Sequence, residues 1–482
     1  IPYARLYSFT LRPHVFMLFD NLQFFFFFIV VSVLYYQLRH QARVWMLLLA
    51  SCYFYMVFKP IYILILLVTI LVDYYAGILI AQAEGNKRRN LLIISLITNI
   101  GFLAYFKYFN FFHENLTSLL HLFDLTNPIP RFESELPIGL SFHTFQAMSY
   151  TIEVYRRNEK PERNFSIYAL YVLFYPQLVA GPIERPQNLL WQFRTQFAYD
   201  FENIKQGLIR IAWGLFKKVV IADRLALLVD QAYANPAEQN GSTLFIATLF
   251  YTFQIYCDFS GYSDIAIGTA RVMGFKLMEN FDVPYISKSI AEFWRRWHIS
   301  LSGWFRDYLY IPLGGNRVGE LRLYFNYFLV FMISGLWHGA AWTFIIWGSL
   351  HGIYQIAAKL RDKYIHFSLP NHPISSFFHW LTTFLLVMLT WVFFRAKGLS
   401  EAKTVLKKIS MLHPFEPITM PFSVQEFIFC FLLIGFLMWK DVFVKEIKTR
   451  STWQFGFVLV SLLTASYFFG VFTSNQFIYF QF

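Results

Sequence analysis

The chain has 482 residues, and 41 Lys plus Arg against 29 Asp plus Glu leave a net charge of +12. Apolar residues make up 57% and charged residues 15%, with 58 Phe, 30 Tyr and 13 Trp, so too little polar surface remains to coat a water-soluble fold. Disordered and fibrous classes are excluded, and an integral membrane protein is expected.

Apolar stretches recur from Leu22 to Phe482 without a long polar interruption, so one membrane domain over 1–482 is expected. No cleavage pattern precedes the first apolar run, which should therefore stay in the membrane; since the chain begins at Ile1 rather than Met, a few native residues are expected to be missing before it. Cys52, Cys257 and Cys430 lie in apolar sequence without a CxxC pair or metal spacing, and read as inert packing residues.

Crossing a ~30 Å hydrocarbon core takes roughly 20 helical residues. Charge-poor runs at 22–38, 61–80, 91–112, 244–256, 377–394, 427–439 and 455–472 are the expected spans, with 44–58 a weaker candidate. The basic segments 86–89 and 156–160 should face the cytoplasm, and the mildly acidic connection 113–135 the opposite side; Lys445, Lys448 and Arg450 mark another inner loop. Over 200–228, Ile204, Leu208, Ile211, Leu215 and Val219 recur at helical spacing, with Lys205, Arg210, Lys217 and Lys218 interspersed. That pattern suits a helix at the membrane interface or on a bundle flank, holding acidic lipid head groups or the phosphates of a cofactor.

The segment Glu292 to Tyr310 is too charged to cross lipid and too aromatic for a free loop. As one helix it would place Trp294, His298, Ser302 and Phe305 on one face, with Arg295 and Arg306 flanking them. From Leu323 to Ala358, 36 residues carry no Asp, Glu, Lys or Arg, which as a straight helix would reach about 54 Å. The run must break, and Gly335-Leu336-Trp337-His338-Gly339 is the expected place. A histidine held at that depth is a candidate functional group, although GxxxG packing or a cross-helix hydrogen bond would also account for it. The chain has no GxSxG, HExxH or GxxxxGK[ST], so serine hydrolase, zincin and P-loop chemistries drop out. His298, His338 and His351 have no carboxylate or cysteine at ligand spacing, and no metal is expected.

Five ordered motifs carry a family resemblance: Leu136-Pro137-Ile138-Gly139-Leu140-Ser141-Phe142, Ala180-Gly181-Pro182-Ile183, Asp258-Phe259-Ser260-Gly261-Tyr262-Ser263-Asp264, the block from Trp294 to Arg317, and Gly335 to Gly339. The chain resembles the bacterial membrane-bound O-acyltransferases, close to those that acetylate alginate and other cell-envelope polysaccharides, most clearly over about 22–394. The resemblance implies an all-α polytopic bundle with short, tilted and re-entrant helices around a central channel. It implies transfer of an acetyl group from cytoplasmic acetyl-CoA, across the bacterial inner membrane, to a polysaccharide or a periplasmic acetyl-carrying partner. His298 and His338 correspond to the family's two functional histidines, the latter its hallmark. His338 is then expected to act as the base and His298 to position the acyl carbonyl or the acceptor, with Arg295, Arg296, Arg306, Lys217 and Lys218 as candidates for the CoA phosphates. Transfer of D-alanyl or another acyl group is the neighbouring alternative, and Tyr308 to Arg317 resembles the alginate-type pattern that favours acetylation. A transporter without chemistry or an assembly subunit are the non-enzymatic alternatives; a transporter would call for inverted repeats, and the histidine-bearing segments have no counterparts in the first half.

Overall fold

The computed structural model describes residues 17, 19–133, 136–365, 372–413, 416–472 and 477–478. The described residues contain no strand. The first layer is α1 (Leu22–Gln37), α2 (His40–Met56), α3 (Ile63–Gln82), α4 (Gly85–Leu103) and α5 (Phe109–His121). The centre holds α6 (Leu140–Arg156), the short α7 (Phe165–Leu173), α8 (Tyr175–Leu178) and α9 (Pro186–Phe193), then α10 (Phe201–Phe216), α11 (Asp223–Ala234) and α12 (Gly241–Val272). Two short helices, α13 (Ile290–Arg296) and α14 (Ile299–Phe305), precede α15 (Glu320–His338) and α16 (Trp342–Tyr364). The chain closes with α17 (Pro373–Arg395), α18 (Leu399–Ser410), α19 (Val424–Phe443) and α20 (Thr452–Phe469).

Among the described residues four helices are long and apolar enough to cross a membrane: Pro60–Gln82, Gly85–His121, Pro373–Arg395 and Thr452–Phe469. They match the expected spans at 61–80, 91–112, 377–394 and 455–472. The expected span at 244–256 is only the first part of α12, whose 32 residues extend about 48 Å and include Asp258 and Asp264. The apolar outside suits lipid: α20 exposes Trp453, Phe457, Val460, Tyr467 and Phe468. The two basic segments meet on one face, since the Arg88 guanidinium donates to the carbonyls of Val154 at 3.0 Å and Tyr155 at 2.7 Å. The connection after α5 lies at the far end of the same long helix, where Arg131 pairs with Glu114 at 3.0 Å; its last two residues, 134–135, are outside the described set.

The helix expected over 200–228 forms, but its second half lies inside the bundle rather than at an interface or on a flank. It runs from Phe201 through a π-helical turn at Lys217–Ala222 to Ala234, and residues 216–226 are buried. The reason is a glycine seam. A Cβ on Gly214 would come within 2.6 Å of the Gly261 carbonyl oxygen, and one on Gly207 within 2.8 Å of that of Gly268, so α10 and α12 touch backbone to backbone. The burial of its lysines is met by carboxylates from α11 and α12: Lys218 sits 2.9 Å from Asp223 and 2.8 Å from Asp258, and Lys217 lies 2.6 Å from Asp264.

The long apolar run breaks where expected. α15 ends on His338, Gly339 is extended, and α16 begins at Trp342 and returns against α15. Gly335 and Gly348 permit that hairpin, because a Cβ on either would meet a carbonyl oxygen of the other helix at 2.2 Å.

Candidate active site

The single helix expected over 292–310 does not form. α13 stops at Arg296, Trp297 is extended, and His298 takes the left-handed conformation at φ 44° and ψ 55° before α14 starts. The cause is Asn280. Its carbonyl takes the Ile299 N–H at 2.9 Å, and its side-chain oxygen takes the Ser300 N–H at 3.4 Å, which diverts both donors from a continuing helix. Trp294 therefore turns to His351, donating from Nε1 to Nδ1 at 3.2 Å, while His298 turns toward His338. A strained backbone at a buried histidine is the kind of outlier that clusters at functional sites.

The two imidazoles lie 6.3 Å apart, centre to centre, and both are buried. Aromatic rings enclose them. Phe259 stands edge-on to His298 at 4.7 Å and Phe142 faces it at 6.3 Å, while Trp337, Trp347 and Phe394 lie 4.9, 5.0 and 5.4 Å from His338. His351, the third histidine of this region, is satisfied: Nδ1 accepts from Trp294, so Nε2 carries the proton and donates to Thr390 Oγ1 at 3.1 Å.

His338 is anchored from the first layer. The helix joining α4 to α5 opens into a π-helical turn at Ala104–Tyr108, which aims two polar side chains at the end of α15. Lys107 Nζ donates to the carbonyls of Trp337 at 2.7 Å and His338 at 3.0 Å, and Tyr108 Oη to that of Leu336 at 2.9 Å. These are carbonyls that a helix C-terminus leaves without internal partners, and the ammonium also complements the negative end of the helix dipole.

A cavity of about 460 Å³ approaches the pair. Arg185, Arg295, Arg306, Tyr310 and Tyr327 line it, and its wall includes Ile299, next to His298, and Ser334, one turn before His338. Its size suits a small-molecule site, and its three arginines outnumber its one carboxylate, Asp307, which pairs with Arg185 at 3.5 Å and Arg306 at 2.8 Å.

A model of the membrane-bound O-acyltransferase family matches residues 9–394. The chain belongs to the membrane-bound O-acyltransferase family. This acyltransferase is 41% identical over 371 residues to the probable alginate O-acetylase AlgI of Pseudomonas aeruginosa, covering 77% of this chain and 70% of that one. It is 40% identical over 401 residues to the peptidoglycan O-acetyltransferase of Helicobacter pylori, covering 76% and 73%. Similarity to the teichoic acid D-alanyltransferase of Streptococcus thermophilus is lower, 32% over 241 residues, or 47% and 58% of the two chains. The chain is therefore a multi-pass membrane O-acyltransferase.

The acyltransferase does not gather its five candidate cations at one place. Arg295 and Arg306 share the cavity beside the histidines. Arg296 is turned away into ion pairs with Glu292 at 3.0 Å and Asp282 at 3.2 Å, where it braces the loop before α13. Lys217 faces a second cavity, lined also by Arg210, Asp264 and Asn280, and Lys218 is buried between its two carboxylates. Three site residues escaped the sequence reading. Lys107 had a signal, as the one charged residue in the expected span 91–112. Arg185 and Asn280 had none, because both act across the fold.

Proposed function

We propose that the chain transfers an acetyl group from acetyl-CoA, entering from the cytoplasmic face of the bacterial inner membrane, to a hydroxyl of an alginate-like envelope or secreted polysaccharide, directly or through a periplasmic acetyl-carrying partner. The observation that carries this reading is the buried pair His298 and His338 beside a cavity with Arg185, Arg295 and Arg306 on its walls. The relatives named for alginate and peptidoglycan acetylation support the acceptor class. The cytoplasmic entry is supported by Arg156, from the basic segment at the end of α6, whose guanidinium donates to the Asp307 carbonyl at 3.0 Å beside the cavity.

In this reading the arginines hold the CoA phosphates by charge-assisted hydrogen bonds, and the thioester reaches the histidines through the cavity. The acceptor oxygen attacks the thioester carbonyl, the carbon–sulfur bond breaks, and the hydroxyl proton passes by way of the imidazole pair to the departing thiolate. Neutral imidazole suits a base working near neutral pH, and general base catalysis contributes about 10² to 10⁴ in rate. The aromatic enclosure keeps water from competing for the thioester and holds the reactants in one geometry.

Purified protein incubated with radiolabelled acetyl-CoA and an oligosaccharide acceptor tests the proposal. Release of free CoA with label on the acceptor is expected, and His338→Ala should abolish it while still purifying as a monodisperse species. No thioester consumption, with D-alanyl thioester carriers consumed instead, would move the donor to the D-alanyl class. Consumption of neither would leave a transporter or an assembly subunit.

A further inference from the structure

Asn280 touches three consecutive residues around His298. It lies in the loop between α12 and α13, is 1% exposed, and sets the break between α13 and α14 with its main chain. Its side-chain oxygen is the meeting point of a small network: Ser300 Oγ donates to it at 2.9 Å and the Ser300 N–H approaches at 3.4 Å. On its other branch Asn280 Nδ2 donates to Ser263 Oγ at 3.3 Å. The Ser300 N–H can only donate, so the amide atom facing it is the oxygen; the reverse orientation would set two donors against each other.

That assignment decides the state of the histidine. His298 Nδ1 lies 3.0 Å from the same oxygen, which can only accept, so Nδ1 carries the proton. In a neutral imidazole Nε2 is then the acceptor. We propose that Asn280 is a positioning residue that holds His298 as the Nδ1–H tautomer and thereby makes Nε2 of His298 a hydrogen-bond acceptor that orients the attacking hydroxyl. This rests on the acetyl-transfer reading above and gives His298 the positioning of the acceptor, one of its two expected roles, with His338 as the expected base. A histidine in this state cannot donate from Nε2 to the thioester carbonyl oxygen, so its partner in the reaction is the acceptor hydroxyl and not the thioester. His338 lies 6.3 Å away, centre to centre, with its backbone held from the other side by Lys107.

The titratable and charged groups around this arrangement include His338 of α15, Lys107 of the π-helical turn and, lining the second cavity with Asn280, Asp264, Lys217, Arg210, Glu279, Asp282, Lys440 and Asp441. None changes when residue 280 alone is replaced. A carboxylate at 280 would still accept from Nδ1–H and from Ser300 and would favour the imidazolium, so Asn280→Asp should keep the tautomer and displace the acid limb of the kcat–pH profile to higher pH.

Two measurements on the full-length protein in detergent test this. In protein labelled with ¹⁵N-histidine, with the His298 signals identified by their loss in His298→Ala, a protonated Nδ1 and an unprotonated Nε2 are expected at neutral pH. A protonated Nε2 overturns the proposal, and this measurement needs no substrate. In acetyl-CoA turnover, Asn280→Ala should lower kcat by about 100-fold with a KM for acetyl-CoA within a few-fold of the parent, as expected for loss of the hydroxyl's orientation. It should cost nothing further in a His298→Ala background, and Asn280→Asp should stay within about tenfold of the parent with its acid limb moved up by about one pH unit. Parental kcat in Asn280→Ala, or a superimposable pH profile in Asn280→Asp, overturns the assignment even if His338→Ala is inactive. If Asn280→Ala does not fold, Asn280→Asp and the tautomer measurement decide. If the parent protein consumes no acetyl-CoA, the donor reading fails, and the tautomer measurement alone supports or overturns the role of Asn280.

Discussion

Lys107 holds the backbone of His338 from the first layer. A cation inside an apolar span is costly unless it finds a partner, and here the partner is the carbonyl end of α15. Helix-terminal charge contacts are worth about 0.3 to 1 kcal/mol when exposed and up to ~2 kcal/mol in partly buried geometries. Lys107→Met keeps the stem that packs near Trp337 and removes the charge together with its hydrogen bonds to the two carbonyls. It should lower kcat by roughly tenfold, about 1.4 kcal/mol in barrier height, with little change in the KM for acetyl-CoA. Steady-state kinetics with a melting curve check this, and a variant that melts earlier at unchanged kcat would make Lys107 a stabilising residue only.

The elements that carry the site are joined by glycine rather than by interlocking side chains. Gly207 and Gly214 on α10 face Gly268 and Gly261 on α12, seven residues apart on each helix, and the approach leaves no room for a Cβ at any of the four. Close backbone approach of this kind is how helices pack in lipid, where no hydrophobic force separates helix from helix. Gly261→Val should push α12 away from the π-helical turn of Lys217 and Lys218 and destabilise the fold by about 1 to 3 kcal/mol, the usual range for overpacking. Gly435 on α19 has open space where its Cβ would be, so Gly435→Ala should be neutral or stabilising by up to about 1 kcal/mol. Thermal unfolding in one detergent compares the two, and equal midpoints would remove the seam as the stabilising contact.

At the scale of the molecule, basic residues serve two different purposes. Arg295 and Arg306 line the cavity beside the histidines, whereas Lys218 holds Asp223 and Asp258 together inside the bundle. If each arginine contacts a phosphate with about 1.5 to 3 kcal/mol, the Arg295→Ala/Arg306→Ala variant should raise the KM for acetyl-CoA by roughly tenfold or more and change kcat less. High salt should narrow that difference by screening the exposed charges. Lys218→Met should instead destabilise the protein by about 3 to 5 kcal/mol, because two carboxylates would remain buried without their cation. Folded yield and KM measured together distinguish the two, and an unchanged KM in the arginine variant would place the donor elsewhere.

Much of this was legible in the chain. Hydropathy alone required a membrane protein, since a 57% apolar composition has nowhere else to go. The 36-residue uncharged run was too long for the bilayer, and its two glycines marked the break that leaves His338 at a helix end. Those are local properties, set by backbone freedom and by the cost of charge in lipid. The tertiary structure decided which cations lie at the cavity and which groups meet His298. Lys218 reads as basic in sequence and becomes an internal counterion only when α10 meets α12. A helical periodicity through 292–310 likewise cannot anticipate Asn280, which takes two backbone N–H groups and meets one imidazole nitrogen from residues 18 to 20 positions away. Pairing of buried polar groups depends on what lies across space, and only the folded chain brings those partners together.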